Sequence, residues 1–120
     1  MRGTLCLGGT LVAGAFLTLP AALAQDAGAP AGDAAAGRKI VSGVCQSCHG
    51  LDGLAKMPEM PNIAGSDAGY LVRQLQAYRS GERQNEMMSA VAPMLDDQKM
   101  TDVAAYYSSL KVTATPPGGQ

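Results

Sequence analysis

The chain carries, at residues 45–49, the pentapeptide Cys45-Gln46-Ser47-Cys48-His49, whose histidine is the only one among its 120 residues. Two cysteines this close together could form a disulfide or a redox-active pair with an incidental histidine, or supply half of a zinc site. Zinc would require two further cysteine or histidine ligands, and the chain after residue 24 contains none outside this pentapeptide. A thioredoxin-like redox motif is expected beside alternating strands and helices, a pattern that this sequence lacks.

The spacing Cys-x-x-Cys-His is typical of covalent haem attachment. The two thiols add across the vinyl groups of the porphyrin as thioethers, and the adjacent imidazole is then placed beneath the ring, where it binds the iron. The sequence therefore predicts one covalently bound haem c, attached to Cys45 and Cys48, with His49 as an axial iron ligand.

The apolar residues on either side of this motif follow a helical period, and no run alternates with the period of a strand. Four segments begin at a polar residue suited to cap a helix. Their predicted first residues are Asp33, Ser66, Asn85 and Asp96. The second helix is predicted to end at Gly81, and Pro93 limits the third. With a long loop over residues 51–65, the pattern predicts an all-α fold.

The composition predicts a thin hydrophobic core. Hydrophobic residues make up 47% of the chain but aromatic residues only 4%, and the 96 residues after position 24 contain 24 large apolar ones. A domain of this size commonly needs a disulfide, a metal or a large cofactor in addition to its core. The formal net charge of −1 supplies no basic field of the kind that attracts nucleic acid, so nucleic-acid binding is excluded.

The first residues have the pattern of an export signal. Met1-Arg2 is followed by an uncharged, mostly apolar run and then by Ala22-Leu23-Ala24, in which two small residues flank one other residue, as at the cleavage site of a secretory signal peptide. We expect residues 1–24, including Cys6, to be cleaved, which leaves a periplasmic protein without stable membrane insertion. Residues 25–32 are expected to form a flexible lead-in and residues 113–120 a disordered tail, on either side of one domain at residues 33–112.

From about Gly32 to Leu110 the chain resembles the class I c-type cytochromes in their small bacterial monohaem form. The resemblance implies about four helices around one covalently bound haem. In that family a glycine eight residues before the first cysteine lets the N-terminal helix cross the C-terminal helix closely, and Gly37 occupies this position. Independently, a glycine inside a helix costs about 1 kcal/mol relative to alanine, which suggests a close backbone approach. The expected partner on the last helix is the pair Tyr106-Tyr107.

The second axial ligand has to come from the methionines, which are more often core filler than ligands. After residue 24 they are Met57, Met60, Met87, Met88, Met94 and Met100. Met100 lies on the apolar face of the last helix and is interpreted as packing, whereas Met57 and Met60 follow the attachment site on the histidine side. The family pattern places the ligand seven residues before Leu95, which identifies Met88, with Met87 as the alternative. A thioether suits a low-spin haem of relatively high potential.

The resemblance also implies residues that surround the ligands. A metal-bound imidazole normally donates its other N–H to an oxygen, and in the family this acceptor is the carbonyl of a loop proline. Pro61 matches that position, and Pro58 is the competing candidate. Arg79 or Arg83 could pair with a haem propionate, but a solvated surface arginine is an equally good interpretation of either residue.

These features predict a periplasmic monohaem cytochrome c that carries one electron at a time between redox proteins, through small transient interfaces. With His49 and Met88 on the iron, no position is open for a substrate, so no enzymatic activity is expected. The alternative is a haem-bearing electron-acceptor subunit, bound to a periplasmic dehydrogenase or to a sulfur-oxidising enzyme complex. A ligand sensor with a labile methionine bond is a third hypothesis.

Overall fold

The computed structural model describes residues 31–118, which form five α-helices and one 3₁₀ helix and contain no strand. The elements are α1 (Ala34–Val44), α2 (Gln46–His49), α3 (Ala68–Ser80), α4 (Glu86–Val91), the 3₁₀ helix (Ala92–Met94) and α5 (Asp97–Ser109). The predicted all-α class is confirmed. The predicted signal peptide, residues 25–30 of the lead-in and residues 119–120 of the tail lie outside the described residues.

Short polar side chains begin the helices, as the sequence predicts for three of them. Asp33, Asn85 and Asp96 each accept hydrogen bonds from backbone N–H groups in the first turn of α1, α4 and α5. For α3 the predicted cap, Ser66, is wrong by one residue. The cap is Asp67, whose carboxylate accepts the N–H of Tyr70 at 2.7 Å, because a charged oxygen is a stronger acceptor than a hydroxyl.

The crossing of α1 and α5 is the largest helix contact in the described part of the chain. A Cβ atom added to Gly37 would lie 1.9 Å from the backbone oxygen of Asp102 and 3.0 Å from Cβ of Tyr106. The close approach predicted at Gly37 is therefore confirmed, although the nearest atom belongs to the backbone rather than to an aromatic ring. Gly32, assigned to the lead-in, makes a second close approach, since its added Cβ would lie 2.1 Å from the oxygen of Thr101.

The buried apolar residues form two small clusters instead of one continuous core. One comprises Val41, Leu71, Val103, Ala104 and Tyr107. The other comprises Ala92, Leu95 and Met100. Helix α4 contributes no buried residue to either, so its half-buried side chains pack only in part on the protein. This agrees with the thin core expected from the composition.

The longest helices, α3 and α5, have 13 residues each. Such a helix spans about 20 Å, whereas the hydrocarbon core of a bilayer is about 30 Å thick. Within residues 31–118, no helix is long and apolar enough to cross a membrane.

Candidate functional site

The motif Cys-x-x-Cys-His lies where α1 ends and the single turn α2 begins. Cys45 is both the C-cap of α1 and the N-cap of α2. Its carbonyl accepts the N–H groups of Cys48 at 3.3 Å and His49 at 3.0 Å, which closes one helical turn. Side chains three and four positions apart on a helix are neighbours, so this turn brings the two thiols and the imidazole together.

Both cysteines are free, half-buried thiols. Burial, with a smaller contribution from the neighbouring Cys48, raises the pKa of Cys45 to about 11. Cysteines of redox-active Cys-x-x-Cys pairs instead have a lowered pKa, because thiolate is the reactive form.

His49 is 7% exposed, and its Nδ1 lies 3.0 Å from the carbonyl oxygen of Pro61. A carbonyl can only accept, so Nδ1 carries the hydrogen and donates it. In the neutral imidazole this leaves the lone pair on Nε2, the arrangement that suits a metal-binding histidine. Of the two candidate prolines, the structure brings Pro61 and not Pro58 to the imidazole.

The loop of residues 50–65 holds this proline in place through a set of internal hydrogen bonds. The carbonyl of Gly53 accepts the N–H groups of Ile63 at 2.8 Å and Ala64 at 3.1 Å, just beyond Pro61. The side chain of Asn62 accepts the N–H of Ala55 at 2.7 Å. Asn62 is not among the residues predicted from the sequence, yet its amide ties the two sides of the loop together beside the acceptor of His49.

Two tyrosines of α5 bind the start of the same loop. Tyr107 donates its hydroxyl to the carbonyl of Gly50 at 3.0 Å, and Tyr106 donates to the carbonyl of Leu51 at 2.9 Å. Burial is the main cause that raises the pKa of Tyr107 above its ordinary value. The family resemblance predicts only that this pair faces Gly37. The signal for the further contact was the chemistry of tyrosine, whose hydroxyl needs a partner when it is buried.

The methionines differ in how deeply they are buried and in which side of the site they occupy. Met100 is fully buried in the second cluster, as its interpretation as packing requires. Met57 lies on the attachment side, since its sulfur is 3.9 Å from Sγ of Cys48. Met88 is half-buried in α4, whereas the adjacent Met87 is 51% exposed. The described contacts place no methionine sulfur beside His49.

The structure gives both candidate arginines protein partners. Arg79 forms an ion pair with Asp97 at 2.6 Å and donates to the carbonyl of Leu95 at 3.3 Å. Arg83 donates to the side-chain oxygen of Gln74, and its guanidinium lies 4.7 Å from the centre of the Tyr78 ring. Each guanidinium thus has a structural role on α3 and its neighbours.

These donors fit a covalently attached haem. The turn presents two thiols on one side of a short helix, followed by an imidazole whose Nδ1 is occupied and whose Nε2 is available. A methionine thioether would supply a soft sulfur ligand of the kind that suits a haem iron. Residues 34–111 match the family model described as cytochrome c. The chain belongs to the cytochrome c family.

Similar proteins agree with this assignment. Cytochrome c-554(548) of Halomonas halodenitrificans is 45% identical over 82 residues, which are 66% of this chain and 98% of that protein. The crystal structure of reduced recombinant cytochrome c4 from Pseudomonas stutzeri superimposes with a TM-score of 0.64 at 38% identity, over 71% of this chain and 49% of that one. A thiosulfate dehydrogenase electron acceptor of Stutzerimonas stutzeri is 44% identical over 62 residues, 51% of this chain and 29% of that protein.

Proposed function

We propose that this cytochrome c is a periplasmic monohaem protein that carries one electron at a time between redox proteins. One observation above all supports the proposal. Two thiols and a histidine share one helical turn, and the histidine donates Nδ1–H to Pro61. That hydrogen bond fixes the tautomer with Nε2 available, which neither a disulfide nor a thiol redox pair requires.

When bound, the haem supplies an iron that changes between its ferrous and ferric forms by one electron. Cys45 and Cys48 would form the two thioether bonds that attach the porphyrin. His49 would bind the iron through Nε2, while Pro61 keeps the imidazole in orientation and raises its basicity. We assign the opposite position to Met88, with Met87 as the alternative.

With two axial ligands from the protein, the site would have no open position for a substrate. His49 is the only histidine in the sequence, so no second imidazole could act as a general acid or base beside a substrate. The proposed role is therefore that of a carrier and not of an enzyme. The proposed signal peptide, residues 1–24, would deliver the chain to the periplasm.

A second candidate is a permanent electron-acceptor subunit of an oxidising enzyme. It is favoured by the similarity to the thiosulfate dehydrogenase electron acceptor, which covers about half of this chain. In that case the natural donor would be an enzyme that removes electrons from a reduced sulfur compound. In the first case the donors and acceptors would be redox proteins that bind transiently.

The haem-loaded protein allows a test of one-electron transfer and of the choice between the two roles. An optical redox titration should follow a one-electron curve, with the ratio of the two forms changing tenfold per about 59 mV. The protein purified from its own host at native abundance should elute alone if it is a free carrier, and with a second chain if it is a subunit. Rapid carbon monoxide binding by the reduced protein would contradict both roles and favour a sensor.

A further inference from the structure

We propose that Tyr107 is a positioning residue for His49, because it binds both ends of the loop that contains the acceptor of the imidazole. The loop is residues 50–65, which begins next to His49 and contains Pro61. The inference rests on the proposed role of His49 as an iron ligand. It concerns what keeps the imidazole in orientation and not how the haem is attached.

Tyr107 contacts the two ends of the loop with two different groups. At the start, its hydroxyl donates to the carbonyl of Gly50 at 3.0 Å. At the end, its backbone carbonyl accepts the N–H of Gly65 at 2.9 Å. Only 1% of Tyr107 is exposed, and it packs in the cluster formed by α1, α3 and α5. One buried residue therefore binds two points that are fifteen positions apart in the chain.

These two points set the geometry of the histidine. Gly50 directly follows His49, so its carbonyl lies one residue from the imidazole's own backbone. Gly65 follows Pro61 by four residues, and the bonds of Ile63 and Ala64 to Gly53 make that part of the loop stiff. Since His49 directly precedes the loop and Pro61 lies near its end, the distance of 3.0 Å between Nδ1 and the Pro61 oxygen depends on both ends being held.

Tyr106 offers a matched comparison within the same turn of α5. Its hydroxyl donates to the carbonyl of Leu51 at 2.9 Å, a hydrogen bond nearly identical in type and length. Tyr106 makes no described contact with the end of the loop, and its removal would leave both bonds of Tyr107 intact. Loss of the Tyr107 hydroxyl would instead remove the shorter of the two hydrogen bonds to the buried carbonyl of Gly50 and leave only the N–H of Gly53, at 3.3 Å, so the start of the loop would be held less firmly.

The test is proton exchange in the reduced, haem-loaded protein, after mass spectrometry has established that the haem is attached. NMR would follow the Nδ1 proton of His49 in the wild type, in Tyr107→Phe and in Tyr106→Phe. Tyr107→Phe should speed exchange of this proton by about tenfold, the factor expected for one lost hydrogen bond of ordinary strength. Tyr106→Phe should change it little.

A purely structural role would give a different result. If Tyr107→Phe only lowered global stability, the amides of Val103 and Ala104 in the core of α5 would speed up by the same factor as the Nδ1 proton. That result, or equal acceleration by the two variants, would overturn the proposal. Absence of attached haem in the wild type would instead refute the proposed function.

A measurement on the unmodified protein covers the case in which Tyr107→Phe does not fold. The Nδ1 proton of His49 and the amide proton of Gly65 should exchange through the same opening of the loop, with one shared free energy. Free exchange at His49 while Gly65 remains protected would show that the end of the loop does not control the imidazole. The proposal would then be wrong.

Discussion

Replacing Gly37 with alanine should force α1 away from α5. The added Cβ would lie 1.9 Å from the backbone oxygen of Asp102 and 2.5 Å from its carbonyl carbon. Comfortable contacts between such atoms need about 3.5 Å. The obstacle is backbone inside a helix and not the end of a flexible side chain, so the helices must separate by roughly 1.5 Å.

The cost follows from two opposing contributions. Overpacking a well-packed contact costs about 1–3 kcal/mol, and the upper end applies here because α5 cannot bend locally. Alanine regains about 1 kcal/mol of helix propensity relative to glycine. We expect Gly37→Ala to lower the free energy of unfolding by about 2 kcal/mol, which in a domain of this size lowers the melting temperature by about 10 °C.

Gly43 in the same helix is the matched control. A Cβ atom added there meets nothing within 4 Å, so Gly43→Ala should gain up to about 1 kcal/mol. Both changes in the free energy of unfolding can be measured by guanidinium unfolding of the haem-loaded proteins, followed by circular dichroism. The slope of this free energy against denaturant concentration should be the same in all three proteins. If the two variants are stabilised alike, the close crossing of α1 and α5 is not what the glycine provides.

Three further substitutions test the site and the loops. Met88→Ala should abolish the near-infrared absorption band of the ferric protein, lower the reduction potential and allow carbon monoxide to bind. Met87→Ala should have none of these effects, and the opposite result in the two variants would identify Met87 as the ligand. The pKa of Asp96 is lowered because its carboxylate accepts a backbone N–H of α5. At neutral pH the wild type should therefore be more stable than Asp96→Asn. When the free energy of unfolding is measured against pH, this difference should disappear as the pH falls through the lowered pKa, below about 3.9. A difference that persists in acid would contradict this. Glu59 has a φ of 69°, a left-handed conformation that costs a non-glycine residue about 1–2 kcal/mol, whereas glycine costs about 0.4–1 kcal/mol in backbone entropy. Glu59→Gly should therefore raise the free energy of unfolding by about 0.5 kcal/mol, and a decrease measured by chemical denaturation would contradict this.

Features set by neighbouring residues could be predicted from the sequence. The caps Asp33, Asn85 and Asp96 are confirmed because a cap binds N–H groups only two or three residues away. Pro93 was expected to limit the third helix, and α4 indeed ends at Val91 before the 3₁₀ helix. At the start of α3 two adjacent residues could both cap, and the choice between Ser66 and Asp67 depended on a difference in acceptor strength.

Features that depend on distant residues could not be found in this way. The hydrogen bond from Tyr107 to the carbonyl of Gly50 joins residues 57 positions apart, and no local sequence pattern predicts it. Gly32 lies in a stretch of small residues that predicts flexibility, yet the backbone of α5 lies against it. The close helix crossing at Gly37 was predicted from the family resemblance, because the sequence pattern alone could not distinguish this residue from an incidental glycine.

The proposed function depends first on whether Cys45 and Cys48 hold one haem through thioether bonds. The most direct measurement is mass spectrometry of the exported protein after acidic organic extraction, followed by trypsin digestion. We expect the mass of the processed chain plus one haem, with the added mass on the peptide of residues 40–56, and no added mass in the variant Cys45→Ser/Cys48→Ser. A wild-type chain that releases its haem on extraction, or that contains a disulfide between the two cysteines, would contradict it.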